Sequence, residues 1–125
     1  MGYILITNNS LLKDLELDTI FVEGSVEEVL IQTRDHVHKG HDLISSPIGA
    51  SIRMMLSPIR SVIISSSISR SNEQSVLQLE TAMEKQRMIM ANRGIDIKNV
   101  EDYMRVDREL ILAAISEAKN FNGGD

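Results

Sequence analysis

All three histidines of the 125-residue chain fall within six positions, at His36, His38 and His41, and Arg34 stands just before them. Histidine titrates near neutral pH, so such a cluster is typical of a metal site, a proton relay or an anion site. On a helix, His36 and His38 would differ in direction by about 200° and would not reach one metal ion. Arg34, His38 and His41 suit an anion better, because arginine binds a carboxylate or phosphate through two parallel hydrogen bonds. The competing interpretation is that these basic residues only stabilise a helix C-terminus.

A capping box predicts the start of the helix that carries this cluster, with Ser25 at the N-cap and Glu28 three residues later. Gly40 stands where such a helix commonly ends, so His38 is predicted in the last turn and His41 beyond it. Apolar residues at helical spacing between these signals give the helix one face toward the core. That face consists of Val26, Val29, Leu30, Thr33 and Val37.

A second candidate site follows from the polar residues at the predicted strand ends. Open α/β sheets bind ligands outside the carboxyl ends of their strands, and here those ends are residues 7–9, 45–47 and 65–67. Asn8 and Asn9 are predicted to offer amide contacts, and Ser51 to approach a ligand from the loop 46–59. Ordinary turn chemistry is the alternative explanation. The two candidate sites are expected at opposite edges of the sheet, and the sequence does not decide between them.

The order of the predicted elements is β–β–α–β–β–α–α, which indicates a small α/β sandwich. We expect one domain over residues 1–121, with a sheet of about four strands, largely parallel or mixed, covered by helices, and a frayed tail at 122–125. A short helix capped by Ser10 is predicted over 11–17. A C-terminal helix pair is predicted, the first from Ser71, which stands in capping-box spacing with Gln74, to Gly94 and the second from about residue 99 or 102 to 119. The predicted core face of the last helix consists of Tyr103, Val106, Leu110, Ala114 and Ala118.

Composition argues against several classes of function. The chain has 18 acidic and 13 basic residues and only four aromatic ones, which does not suit a nucleic-acid partner. It has no cysteine, so thiol chemistry and cysteine-bound zinc are excluded. No apolar run is long enough to cross a membrane, and residues 3–6 start a strand rather than a signal peptide. We therefore expect a cytoplasmic protein, and no phosphate-loop or dinucleotide motif predicts a cofactor.

One set of residues, most of them between 29 and 65, forms a recognisable pattern: Ile6, Thr7, Asn8, Asn9, Val29, Leu30, Arg34, Asp35, His38, Lys39, Gly40, His41, Pro47, Gly49, Ser51, Pro58 and residues 61–65. This pattern resembles the GrdX family, small proteins encoded with the glycine, sarcosine and betaine reductase systems of amino-acid-fermenting anaerobic bacteria. The sequence departs from the family pattern at Ser46, where a histidine is expected before Pro47, and over 52–57, where a polar stretch is expected. The resemblance implies an accessory role beside a reductase and no established catalytic mechanism.

Three functional hypotheses follow from the sequence and the resemblance. The first is an accessory protein that binds a small anionic metabolite or a reductase component, with Arg34 holding the anion. The histidines would donate hydrogen bonds to it. The second is a small hydrolase or transferase that uses a histidine as general base. The third is a homodimer formed through the methionine-bearing C-terminal helices, which carry Met83, Met88 and Met90.

Overall fold

Four strands form one mixed sheet in the order β2-β1-β4-β3 in the computed structural model, which describes residues 2–122 and the side chains of 2–120. β1 and β2 are parallel, whereas β4 is antiparallel to both β1 and β3. Three strands therefore run in one direction, and β4 runs between two of them in the opposite direction. The strands are β1 (Tyr3–Thr7), β2 (Asp18–Phe21), β3 (His41–Leu43) and β4 (Ser61–Ile68).

Helices cover both faces of the sheet. Side chains alternate along β1 and β4, so each of these strands presents apolar residues to both faces. Ile6, Val62 and Ile64 pack with α1 and α3 on one face. Leu5 and Ile63 pack on the other face with Ile111 of α4 and with Leu12 of a 3-10 turn. The helices are α1 (Val26–His38), α2 (Ile52–Met55), α3 (Glu73–Asn92) and α4 (Val100–Asn122), and the 3-10 turn is Ser10–Leu12.

The α1 helix forms as its sequence signals predict. Ser25 Oγ accepts a hydrogen bond from the Glu28 backbone N–H at 3.2 Å. The acidic residues of the first turn interact favourably with the positive end of the helix dipole. The helix ends at His38, and Gly40 adopts a left-handed φ of 117°. The five residues predicted on its inner face are all buried.

The α/β class with a mixed sheet is confirmed, but the C-terminal helices are not a pair. They lie on opposite faces of the sheet, since α3 packs beside α1 and α4 packs beside the 3-10 turn. The predicted core face of α4 is correct at Tyr103 but wrong at Val106 and Leu110. Val106 and Leu110 are 43% and 55% exposed, whereas the neighbouring Asp107 and Ile111 are buried. An aspartate therefore takes a core position on α4 between two buried apolar residues, Tyr103 and Ile111.

Several local predictions are corrected by the structure. The helix expected over 11–17 is only the 3-10 turn, and its N-cap is Asn9 rather than Ser10. The N-cap of α3 is Asn72 rather than Ser71, and it makes no side-chain capping hydrogen bond. The predicted loop 46–59 contains α2, capped by Ser51.

The predicted tail begins at Asn122, which is the last residue of α4, while 123–125 lie outside the described residues. Within residues 2–122, no helix combines the length and the apolar character needed to cross a membrane.

Candidate functional site

The strand directions decide which polar strand ends meet. β1, β2 and β3 run the same way, so their carboxyl ends lie at one edge of the sheet, beside the start of β4. Asn8, Asn9, Ser45 and Ser46 are therefore found at that edge, as predicted from the topology of open sheets. Residues 65–67 are not, because β4 is antiparallel and carries them to the opposite edge.

A cavity of about 240 Å³ opens at this edge, beneath the loop that follows β3. Its lining joins that loop to the start of β4 and to α4, and it combines apolar side chains with two buried charges. Arg60 is 5% exposed and Asp107 is 8% exposed. The lining residues are Ser45, Ser46, Ile48, Gly49, Ala50, Met54, Ile59, Arg60, Ser61, Asp107, Leu110, Ile111 and Ala114.

Asp107 reaches the cavity from α4 and is held by two hydrogen bonds on one carboxylate oxygen. Ser61 Oγ donates to Asp107 Oδ2 at 2.5 Å, and Asn9 Nδ2 donates to the same oxygen at 2.9 Å. Thr7 Oγ1 lies 2.6 Å from Ser61 Oγ. Because the single Ser61 hydroxyl hydrogen goes to Asp107, the Thr7 hydroxyl must donate to Ser61. The hydroxyl groups of β1 and β4 thus point their hydrogens toward the carboxylate.

Arg60 lies on the other side of the cavity wall and is bound by neutral acceptors. Its Nη1 donates to the carbonyl of Pro47 at 3.0 Å and to Gln86 Oε1 at 3.4 Å, and Nη2 donates to the carbonyl of Met54 at 3.5 Å. Within the described part of the chain, no carboxylate oxygen lies within 4.0 Å of its guanidinium nitrogens. The site therefore contains a buried positive charge without a direct counter-ion.

Burial changes the protonation equilibrium of both charged residues. Desolvation lowers the pKa of Arg60 to about 10, partly opposed by the charge of Asp107, so Arg60 stays protonated at neutral pH. Desolvation also raises the pKa of Asp107, while the hydrogen bonds from Ser61 and Asn9 and the charge of Arg60 act in the opposite direction. Burial thus disfavours the charged form of both side chains.

Asn8 and Asn9 are placed at this edge but bind the protein itself. Asn8 Nδ2 donates to the carbonyls of Gly24 and Pro58, and its Oδ1 accepts from the Arg60 backbone N–H. Asn9 Nδ2 donates to the Met104 carbonyl as well as to Asp107. Both amides therefore position the cavity walls, and their direct contact with a ligand stays a prediction.

The histidine cluster lies at the opposite edge, around the end of α1. Arg34 contacts Asp35 at 3.4 Å, and His38 Nε2 lies 3.9 Å from Glu80 Oε1 of α3. His41 Nδ1 donates to the Ser65 carbonyl at 2.7 Å. The three predicted anion-binding side chains thus have three different partners rather than one shared focus.

His36 faces His41, with ring centroids 5.6 Å apart, while His38 faces α3. The two helix histidines diverge as the helical spacing predicts. Among the described residues, no group of three or more His, Asp or Glu side chains is arranged to hold a metal ion. Ser51, the remaining predicted site residue, is exposed and caps α2 through the Met54 N–H at 3.3 Å.

Sequence reasoning missed Arg60 and Asp107. One signal was present, because Asp107 stands four residues after Tyr103 and four before Ile111, both buried. A charged residue on the apolar face of a helix is exceptional and points to a partner or a function. Arg60, which directly precedes β4, offers no comparable pattern.

A model of the GrdX-like protein family matches residues 4–116 of the chain. The chain belongs to this family. The match extends from β1 into α4, so every residue that lines the cavity of this GrdX-like protein lies within it. Comparisons with curated proteins and with solved structures give no significant match.

The departure from the expected family pattern at Ser46 falls on the cavity of this GrdX-like protein. Ser46 Oγ donates to the Ile48 carbonyl at 3.0 Å and accepts from the Ile48 N–H at 3.3 Å, which closes a tight turn. The second segment that differs from the expected pattern, 52–57, contains α2, and the Met54 carbonyl within it accepts a hydrogen bond from Arg60. Ser46 and the 52–57 segment thus lie close to residues whose carbonyls bind Arg60, namely Pro47 and Met54.

Proposed function

We propose that this GrdX-like protein is an accessory protein of the glycine, sarcosine and betaine reductase system, and that it binds a small anionic metabolite. It acts without catalysing a reaction of its own. The family membership supports the reductase association, and the buried Arg60 supports the anion. The binding site is the cavity between the 45–50 loop and α4.

The single observation that carries the anion is the buried charge of Arg60. Its bound acceptors are two backbone carbonyls and the amide oxygen of Gln86, none of which carries a negative charge. A buried charge is costly unless a counter-ion lies against it. An anionic ligand in the adjoining cavity would provide that counter-ion, and the planar guanidinium suits a carboxylate or phosphate.

The histidine-dependent enzyme receives no support from this cavity. The three histidines of the sequence are all described, and none of them lines it. A general base must lie within hydrogen-bonding reach of the proton that it removes. We therefore favour binding over histidine-based catalysis as the function of this site.

Thermal unfolding with added ligands tests the proposal. The probes are glycine, sarcosine, betaine, acetate, acetyl phosphate and inorganic phosphate, each titrated into wild type, Arg60→Met and Arg34→Met. The two variants are matched, because each replaces one guanidinium by the unbranched, uncharged side chain of methionine. Circular dichroism of each variant without ligand checks that it is folded. A ligand that binds only the folded state raises the melting temperature by mass action.

We expect at least one probe to raise the melting temperature of wild type and of Arg34→Met but not of Arg60→Met. The opposite pattern would place the anion at the end of α1, where Arg34, His38 and His41 lie, and would refute the cavity. If no probe shifts wild type, metabolite binding is wrong. A reductase component then becomes the expected partner, which a pull-down with the purified reductase subunits would test.

A further inference from the structure

The cavity is lined by two buried charges of opposite sign that do not touch. Arg60 and Asp107 both line it, and their charged atoms are not within 4.0 Å of each other. Each has neutral hydrogen-bonding partners instead. In an ordinary buried ion pair the two groups would meet and neutralise each other. Because both residues line one cavity, a ligand bound there can contact each of them.

One oxygen of Asp107 is available to that ligand. Both hydrogen bonds from Ser61 and Asn9 go to Oδ2, and no described residue donates to Oδ1. Every fully buried side-chain nitrogen or oxygen atom in the described residues has a hydrogen-bond partner. Oδ1 is therefore accessible, and because Asp107 lines the cavity we place Oδ1 at its surface.

Arg60 likewise keeps unused donors. A guanidinium has five N–H groups, and the described residues accept only three hydrogen bonds from Arg60. The Nε hydrogen and one Nη2 hydrogen have no acceptor within residues 2–122. Arg60 lines the cavity, so these unused donors are available to a carboxylate bound there, a group that arginine favours as a partner.

We infer that the cavity binds a small zwitterion of the α-amino-acid type, with its carboxylate on Arg60 and its ammonium group on Asp107 Oδ1. This inference rests on the anion site proposed above. A simple anion would be attracted by Arg60 but repelled by an ionised Asp107, whereas a zwitterion matches both charges. The volume of about 240 Å³ lies below that of common drug-sized sites and favours a ligand of few atoms.

The alternative is that Asp107 is protonated and donates its own hydrogen to a simple anion. Burial raises the pKa of this carboxyl, so the two arrangements predict opposite pH dependence. A zwitterion binds more tightly as the pH rises and Asp107 ionises. A simple anion that requires protonated Asp107 binds more weakly over the same change.

Isothermal titration calorimetry with matched two-carbon ligands distinguishes these arrangements. Glycine carries both groups, glycolate replaces the ammonium by a hydroxyl, and trimethylglycine keeps the positive charge but has no N–H to donate. We expect wild type to bind glycine about tenfold more tightly than either analogue, because glycolate lacks the positive charge that faces Asp107 and trimethylglycine lacks the N–H donor. The glycine affinity is expected to rise between pH 4 and pH 8.

The Asp107→Asn variant provides a second test, because asparagine keeps an oxygen for the Ser61 and Asn9 donors. We expect it to bind glycine no more tightly than glycolate, because the amide NH2 group then takes the place of Oδ1 and cannot accept from an ammonium group. If wild type binds glycolate as tightly as glycine, or binds both better at low pH, the zwitterion is wrong while the anion site stands. If wild type binds neither ligand nor any probe of the thermal screen, the anion site and the zwitterion both fall.

Discussion

The side-chain amide of Asn9 donates a hydrogen bond to Asp107 Oδ2 at 2.9 Å, although the two residues are 98 positions apart in the sequence. Its second N–H donates to the Met104 carbonyl, and its Oδ1 accepts from the Leu11 N–H. Asn9 is fully buried. One side chain therefore joins the end of β1, the 3-10 turn and α4, and it orients the carboxylate of the cavity.

Replacing Asn9 by alanine is expected to lower the free energy of unfolding by about 2–3 kcal/mol, because buried partners on α4 and the turn lose their hydrogen bonds. Urea denaturation measures the loss. Asn92→Ala is the matched control, since Asn92 is exposed on α3 and makes only a 3.5 Å contact with the Met88 carbonyl. Equal losses in the two variants would contradict the bridging role of Asn9.

Ionisation of Asp107 is expected to make stability depend on pH. Burial raises the pKa of this carboxyl in the folded state, so the folded protein binds more protons than the unfolded chain above about pH 4. Stability is therefore lost as the pH rises through the folded pKa. Asp107→Asn removes this effect. The free energy of unfolding of the variant, measured relative to that of wild type, should therefore increase from acidic to neutral pH. A pH-independent difference between the two in urea denaturation would contradict it.

Gly40 is expected to tolerate no side chain. Its φ is 117°, and an added Cβ would clash with Ile68 Cγ2 and lie 3.1 Å from the Ser69 carbonyl oxygen. Gly40→Ala should lower the free energy of unfolding by about 1–3 kcal/mol. At Gly94 an added Cβ meets no heavy atom within 4 Å, so Gly94→Ala should change stability little. Thermal unfolding of both variants checks the contrast, and a similar loss at both positions would refute it.

Ser25 and Ser71 provide a test of helix capping. Both are N-cap positions in the sequence-based prediction, but only Ser25 makes the capping hydrogen bond, to Glu28 N–H, and α3 begins after Asn72 instead. Ser25→Ala should cost about 1 kcal/mol of stability, whereas Ser71→Ala should stay within about 0.5 kcal/mol. Chemical denaturation of the two variants decides the matter. A comparable loss in Ser71→Ala would show that the cap of α3 is wrongly assigned.

The parts of the fold that the sequence predicts well are those with local signals. The cap at Ser25, the apolar spacing of α1 and the stop at Gly40 all act within a few residues, and all are found in the structure. The direction of β4 has no local signal, because a run of apolar residues reads the same whether the strand is parallel or antiparallel. The placement of residues 65–67 was wrong for that reason.

The cavity charges were missed because their position depends on the whole chain. Asp107 is buried only because Asn9 and Ser61, distant in sequence, supply hydrogen bonds to it. A periodicity argument assigns charged residues to solvent and therefore chose Val106 and Leu110 for the core face of α4. The sequence placed Asn8, Asn9, Ser45 and Ser46 at one edge of the sheet, as found, but it did not identify the two charged residues of the cavity there.

The pairing of β1 with β4 also has a kinetic consequence. Thr7 and Ser61 are partners in the register but lie 54 positions apart, so pairing of these two strands closes a long loop of chain. The loss of chain entropy comes before the stabilising contacts, which raises the barrier to folding. We expect this protein to fold more slowly than a helical bundle of the same length, and variants at the β1–β4 contact to slow its refolding most.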